Sequence, residues 1–113
     1  MKPKIYGIRN CDTMQKAFAW LEARKIEYDF HDYKKEGVPP GKLKSWAAKT
    51  GWEKLANTRG PTWRKISSGE NDLRLPRVEE LLEANPSAIR RPVVEAGSRL
   101  LVGFDPDEFS KTF

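Results

Sequence analysis

Hydrophobic and polar positions follow two different periods along the chain. Ile5-Tyr6-Gly7-Ile8 is a brief apolar run that stops at polar turn residues, the pattern of a short buried strand. Met14, Ala17, Phe18 and Leu21 then fall at i, i+3, i+4 and i+7, which lays one apolar stripe along a helix. Gln15, Lys16, Glu22 and Lys25 lie mostly off that stripe. Asp12 or Thr13 can cap the helix by accepting a hydrogen bond from one of its unpaired backbone N–H groups. Tyr28 and Phe30 alternate with Asp29 and His31, as in a second strand with one buried face. Strand, crossover helix and strand make a βαβ unit, which predicts parallel strands.

Beyond this unit the signals change. Asp32 to Gly41 is polar, ends in Pro39-Pro40-Gly41 and reads as a loop. Leu43, Trp46, Ala47 and Thr50 restore the helical spacing, with Gly51 placed to end the helix. From Trp52 to Asp72 the stretches NTRGPTWRK and SSGEND are rich in breakers and leave Thr62–Ile66 of undecided type. Val78, Leu81 and Leu82 mark another short helix, stopped by Asn85-Pro86. Val93-Val94 and Leu100-Leu101-Val102 read as two strands joined around Gly97. Asp105-Pro106 is a helix start, a capping carboxylate before a proline at the first helical position. Phe109 and Phe113 can pack on one side of that helix. The order is βαβ, a helical middle of about residues 39–85, then ββα, read as one domain over 1–113.

Composition narrows the chemistry. The net charge of +5 arises from 21 Lys and Arg scattered among 16 Asp and Glu. No arginine-rich tract or nucleic-acid motif stands out, so the balance favours solubility and small acidic ligands over nucleic acid. No run approaches the roughly 20 apolar residues that cross a bilayer, and the first residues show no signal-peptide pattern. A reducing cytoplasm is the expected compartment. One cysteine and one histidine exclude an internal disulfide and any zinc spacing built from those residues.

That cysteine, Cys11, falls where the first strand hands over to the first helix. A thiolate there feels the positive end of the helix and its free N–H donors, which lower its pKa from about 8.5. Placement alone leaves two readings open, a reactive nucleophile or a small packing residue. Arg59, in a Gly-Pro-flanked loop, and Arg91, before Pro92, could hold a thiolate or a carboxylate by charge-assisted bonds. Read by themselves they default to solvated surface residues. Arg9 and Arg90 are weaker candidates beside them. His31, on the polar face of its strand, reads as structural, and the four tryptophans read as packing. Trp63, inside the unclassified loop, is the one of interest.

The element order with a cysteine at the end of the first strand resembles the ArsC/Spx family of the thioredoxin superfamily. The resemblance covers nearly the whole chain and is carried by IYGIRNCDTMQKAFAWLEARKIEYDFHDYKKEG, NTRGPTWRK, IRRPVV and LLVGFDPDEF. It implies an α/β, thioredoxin-like fold (βαβ–helical insertion–ββα) with a four-stranded mixed sheet and a cis Arg91–Pro92 bond facing the cysteine loop. It further implies Cys11 as catalytic thiol, Arg59, Arg91 and Arg9 as anion-binding, and Asp12, Thr13 and Pro92 as structural at the site. The activity implied is a glutathione-dependent thiol reductase that forms a mixed disulfide, with glutathione as co-substrate and no bound metal or organic cofactor. The alternative is a non-catalytic Spx-like regulator docking a protein partner such as RNA polymerase. Three departures matter. Met14 replaces the second cysteine of the Spx-type C-x-x-C. Gly7 stands where arsenate reductases carry a histidine. The third arginine of those enzymes has no clear counterpart, since Arg99 is out of register.

Overall fold

The computed structural model describes residues 2–71 and 73–113. They form two compact units, one made of the residues up to Lys35 together with Arg91–Phe113, the other of Glu36–Arg90. The first unit contains β1 (Lys4–Gly7), α1 (Asp12–Ala23), β2 (Asp29–Asp32), β3 (Val93–Ala96), β4 (Arg99–Val102) and α7 (Pro106–Thr112). The sheet runs β2-β1-β3-β4; β1 and β2 are parallel, and β1–β3 and β3–β4 are antiparallel. It is therefore a mixed sheet, and the crossover helix α1 produces the parallel pair.

The expected apolar stripe is the buried face of α1. Met14, Ala17, Phe18 and Leu21 pack with Ile5, Val94, Leu101 and Phe109 into one cluster on one side of the sheet. Phe30 meets Phe18 edge to face at 5.0 Å, and Tyr28 stacks on Phe18 at 5.4 Å, so both contribute their apolar bodies. At the other end of the chain, the Asp105 carboxylate accepts from the backbone N–H of Asp107 at 3.0 Å, and Pro106 opens α7. That start holds Phe109 fully buried against Trp20, Phe104 and Phe113. Gly97, at φ 62°, turns β3 into β4, a conformation open to glycine and costly for most other residues.

The second unit holds α3 (Lys42–Thr50), α4 (Trp52–Leu55), α5 (Pro61–Ser67), α6 (Arg77–Ala84) and a 3₁₀ turn over Pro86–Ala88. Two readings change here. The polar stretch after Asp32, expected to be loop throughout, begins with a helical turn, α2 (Tyr33–Glu36), and Tyr33 is buried. The unclassified region after Trp52 is mostly helical. Trp63 on α5 is buried and packs 5.6 Å from Trp52, so it is a packing residue. Gly51, at φ 84°, ends α3 as expected, and the Asp72 end of the breaker-rich stretch lies outside the described residues.

Candidate functional site

The site grows from a close approach between strand and helix. A Cβ on Gly7 would stand 2.6 Å from Met14 Sδ, so any larger residue there would force the buried Met14 side chain to shift. The chain then turns through Ile8-Arg9-Asn10, with the Cys11 N–H donating to the Arg9 carbonyl at 3.0 Å and the Gln15 amide to the same oxygen at 2.8 Å. This arrangement sets the start of α1. The N-cap is Cys11 itself, in extended conformation, and not Asp12 or Thr13 as the residue types had led us to expect. Asp12 instead occupies the first helical turn, where its charge favours the helix dipole.

Cys11 is half-buried, and the described residues hold no other cysteine to pair with it. Its sulfur makes no capping hydrogen bond, but the backbone N–H groups of Met14 and Thr13 are directed at it and favour the anion. Burial pushes the thiol pKa up. The Met14 N–H, the hydrogen bond and charge of Arg91, and the Thr13 N–H outweigh burial and hold it below the ordinary thiol value. Arg91 lies eighty residues away in sequence, just before the buried Pro92 at the start of β3, and the Arg91–Pro92 bond is cis. The cis geometry that the resemblance implied is present.

The other candidates separate. The Arg9 guanidinium stands 4.9 Å from the centre of the Phe30 ring, a cation–π position, while its carbonyl organises the cysteine turn. Arg59 is exposed in the second unit, in the turn before α5, and Arg90 there donates to the Lys54 carbonyl at 3.1 Å. His31 is half-buried between the Tyr6 and Tyr33 rings, at 5.4 and 6.1 Å. No group of three or more His, Cys, Asp or Glu able to hold a metal occurs among the described residues.

Sequence reasoning passed over a polar cluster on the sheet face opposite α1. The Tyr6 hydroxyl donates to Glu95 Oε1 at 2.7 Å. Burial and the Glu95 carboxylate together push the Tyr6 phenol well above its usual value. Tyr33 is buried nearby, and burial likewise raises its phenol. The only sequence signal was that Tyr6 sits out of phase with Ile5 on β1.

A four-stranded mixed sheet built as βαβ and ββα, with one thiol at the N-terminus of its first helix and a cis-proline before β3, defines a thioredoxin-like protein. The chain belongs to the ArsC family, whose model matches residues 6–112. It is 36% identical over 110 residues to a protein of Haemophilus influenzae, covering 96% of each chain. It is 30% identical over 109 residues to the global transcriptional regulator Spx of Listeria innocua, covering 95% of this chain and 83% of the regulator. Among solved structures, a YffB protein (PA3664) superposes with a TM-score of 0.93 at 45% identity, with 98% of each chain covered.

Proposed function

We propose that this protein is a glutathione-dependent thiol oxidoreductase with Cys11 as its single nucleophile. The observation that carries the reading is Arg91 beside a thiol that stands at the N-cap position of α1, with the backbone N–H groups of Met14 and Thr13 near its sulfur, two independent causes favouring the thiolate. The thiolate attacks one sulfur of a disulfide RSSR. The S–S bond breaks, Cys11–S–SR forms, and RS⁻ leaves to take a proton from water. With no resolving cysteine in the chain, a second, external thiol attacks the mixed disulfide and returns Cys11 as thiolate. Glutathione fits both roles, because its carboxylates suit a basic site bearing Arg91. Such a cycle belongs in a reducing cytoplasm. Intact-mass spectrometry after exposure to oxidised glutathione should show one adduct, absent in Cys11→Ser. Folded protein that forms no adduct would refute the reading.

A second reading has its own observation, the similarity to Spx regulators over most of their length. A regulator of that kind would dock a protein such as RNA polymerase. Met14 is fully buried in the core where the C-x-x-C partner would stand, so docking would work without an internal disulfide switch. Capture of RNA polymerase by Cys11→Ser as strongly as by wild type, with an unreactive Cys11, would favour this reading. Arsenate reduction is the least favoured. A side chain at position 7, where those reductases carry a histidine, would have to displace the Met14 thioether from the core.

A further inference from the structure

Over the whole chain basic and acidic residues are intermixed, but within the second unit they segregate. Residues 42–65, which run from α3 through α5 but for the last two residues of α5, hold seven Lys and Arg and one acidic residue, Glu53. Their net charge of +6 exceeds the +5 of the entire chain, so the remaining residues sum to −1. On α6 the balance reverses. Glu79, Glu80 and Glu83 accompany one arginine there, and that Arg77 is held by Glu70 at 3.0 Å and Glu80 at 3.2 Å. Lys44, Lys49, Lys54, Arg59, Arg64 and Lys65 are all exposed, and none is in an ion pair among the described residues.

Contacts inside the unit tie the segments that carry these cations together. Trp52 packs on Trp63 at 5.6 Å, which joins α4 to α5. The Ala56↔Ile89 bridge, with the Asn57 N–H donating to the Ala88 carbonyl at 2.8 Å, joins the turn after α4 to the 3₁₀ turn. Arg90 is thereby set beside α4. Its backbone N–H donates to the Leu55 carbonyl at 2.8 Å and its Nε to the Lys54 carbonyl at 3.1 Å, so its exposed guanidinium adds to the charge of Lys54. Like charges gathered without counter-charges repel one another, and an anionic partner relieves that repulsion. The surface also says which anion. A protein partner draws its affinity from an apolar or aromatic centre, but the exposed large hydrophobic among the described residues is Leu75, outside this segment. Single-stranded nucleic acid needs aromatic platforms, whereas Trp46 and Trp63 are buried and Trp52 packs on Trp63. Charge without either feature suits a duplex backbone, where the phosphates supply the affinity.

We propose that α3, α4 and α5, with Arg90, form a surface that binds the phosphate backbone of duplex DNA without regard to its sequence. The inference goes beyond the thiol chemistry and beyond docking to a protein, and depends on neither.

The test titrates the full chain against fluorescein-labelled duplexes of about 30 base pairs, one A·T-rich and one G·C-rich, and reads anisotropy over a series of salt concentrations. Wild type should bind both alike, in the range of about 10⁻⁴–10⁻⁶ M near physiological salt, and more tightly as salt falls. Changing Lys44, Lys49, Lys54 and Lys65 together to Gln should weaken binding at least about tenfold at about 50 mM salt. It should also flatten the salt dependence by roughly one logarithmic unit for each lysine that meets a phosphate. Changing Lys2, Lys16, Lys25 and Lys111, exposed lysines of the first unit, to Gln alters the net charge equally and should cost less than about threefold. Arg at the four second-unit positions should keep wild-type affinity. Wild type that fails to bind the duplex at about 50 mM salt would overturn the proposal, as would equal losses in the two Gln variants or loss of binding in the Arg variant. Tighter binding to a single strand of the same length, a clear preference between the two duplexes, or polyglutamate competing as well as DNA charge for charge would overturn it too.

Discussion

Replacing Arg91 by Met removes the guanidinium and keeps most of its stem, so the perturbation falls on the thiolate more than on packing. In the folded protein Arg91 both hydrogen-bonds the Cys11 sulfur and adds positive potential. A hydrogen bond to a charged group contributes about 1.5–3 kcal/mol. The lower end applies here, since Cys11 and Arg91 are only half-buried and water screens the pair. About 1.4 kcal/mol is a tenfold change in equilibrium, so the thiolate fraction below the midpoint should fall about tenfold. The reaction rate falls less. A more basic thiolate is a better nucleophile, with a Brønsted slope of about 0.4–0.5, which returns roughly threefold of that loss. Iodoacetamide alkylation followed from pH 5 to 10 resolves the two effects. Arg91→Met should shift the midpoint to higher pH, lower the rate roughly threefold at pH values below both midpoints, and raise the plateau at high pH. Arg91→Lys should recover part of the midpoint and less of the geometry, because an ammonium lacks the planar fork. A midpoint and plateau identical to wild type would show that Arg91 does not act on the sulfur, and the site as described would be wrong.

The depressed Cys11 pKa also links folding to pH: the folded state holds fewer protons than the unfolded chain between the two pKa values. The extra stability of wild type over Cys11→Ser is then fully present above the unfolded thiol value of about 8.5 and lost as pH falls through the folded value. Urea melts of both proteins across that range check this, and a difference that is flat with pH would contradict it. Gly7→Ala should force Met14 aside and destabilise the fold by about 1–3 kcal/mol, read as a lower melting temperature. Pairing it with Met14→Ala should relieve the clash but leave the cavity cost, and a Gly7→Ala variant as stable as wild type would refute the close approach.

Much of the first unit could be read from the chain. The i, i+3, i+4, i+7 stripe of α1, the alternation of β2, the Gly97 turn and the Asp105-Pro106 start each rest on contacts only a few residues apart. The second unit resisted. Trp52–Leu55 spans four residues, too few for any period to show, and Trp52 packs against Trp63, a contact eleven residues apart that no local pattern carries. The Asp12 cap failed for a related reason. Residue type nominated an oxygen, but the first helical hydrogen bond, from the Gln15 N–H to the Cys11 carbonyl, places the N-cap one residue earlier, at Cys11.

For the site itself the division is sharper. Sequence by itself determined that there is one thiol, that it stands at a strand-to-helix junction, and that no second cysteine can resolve it. Those are matters of composition and of short-range hydrophobic period. Only the tertiary structure decided what surrounds that thiol. Arg91 lies eighty residues from Cys11 and Glu95 eighty-nine from Tyr6, and it is the pairing of β1 with β3 that brings Glu95 to Tyr6. A pairing register is set by the burial of a whole sheet face, so no local pattern in the chain carries it.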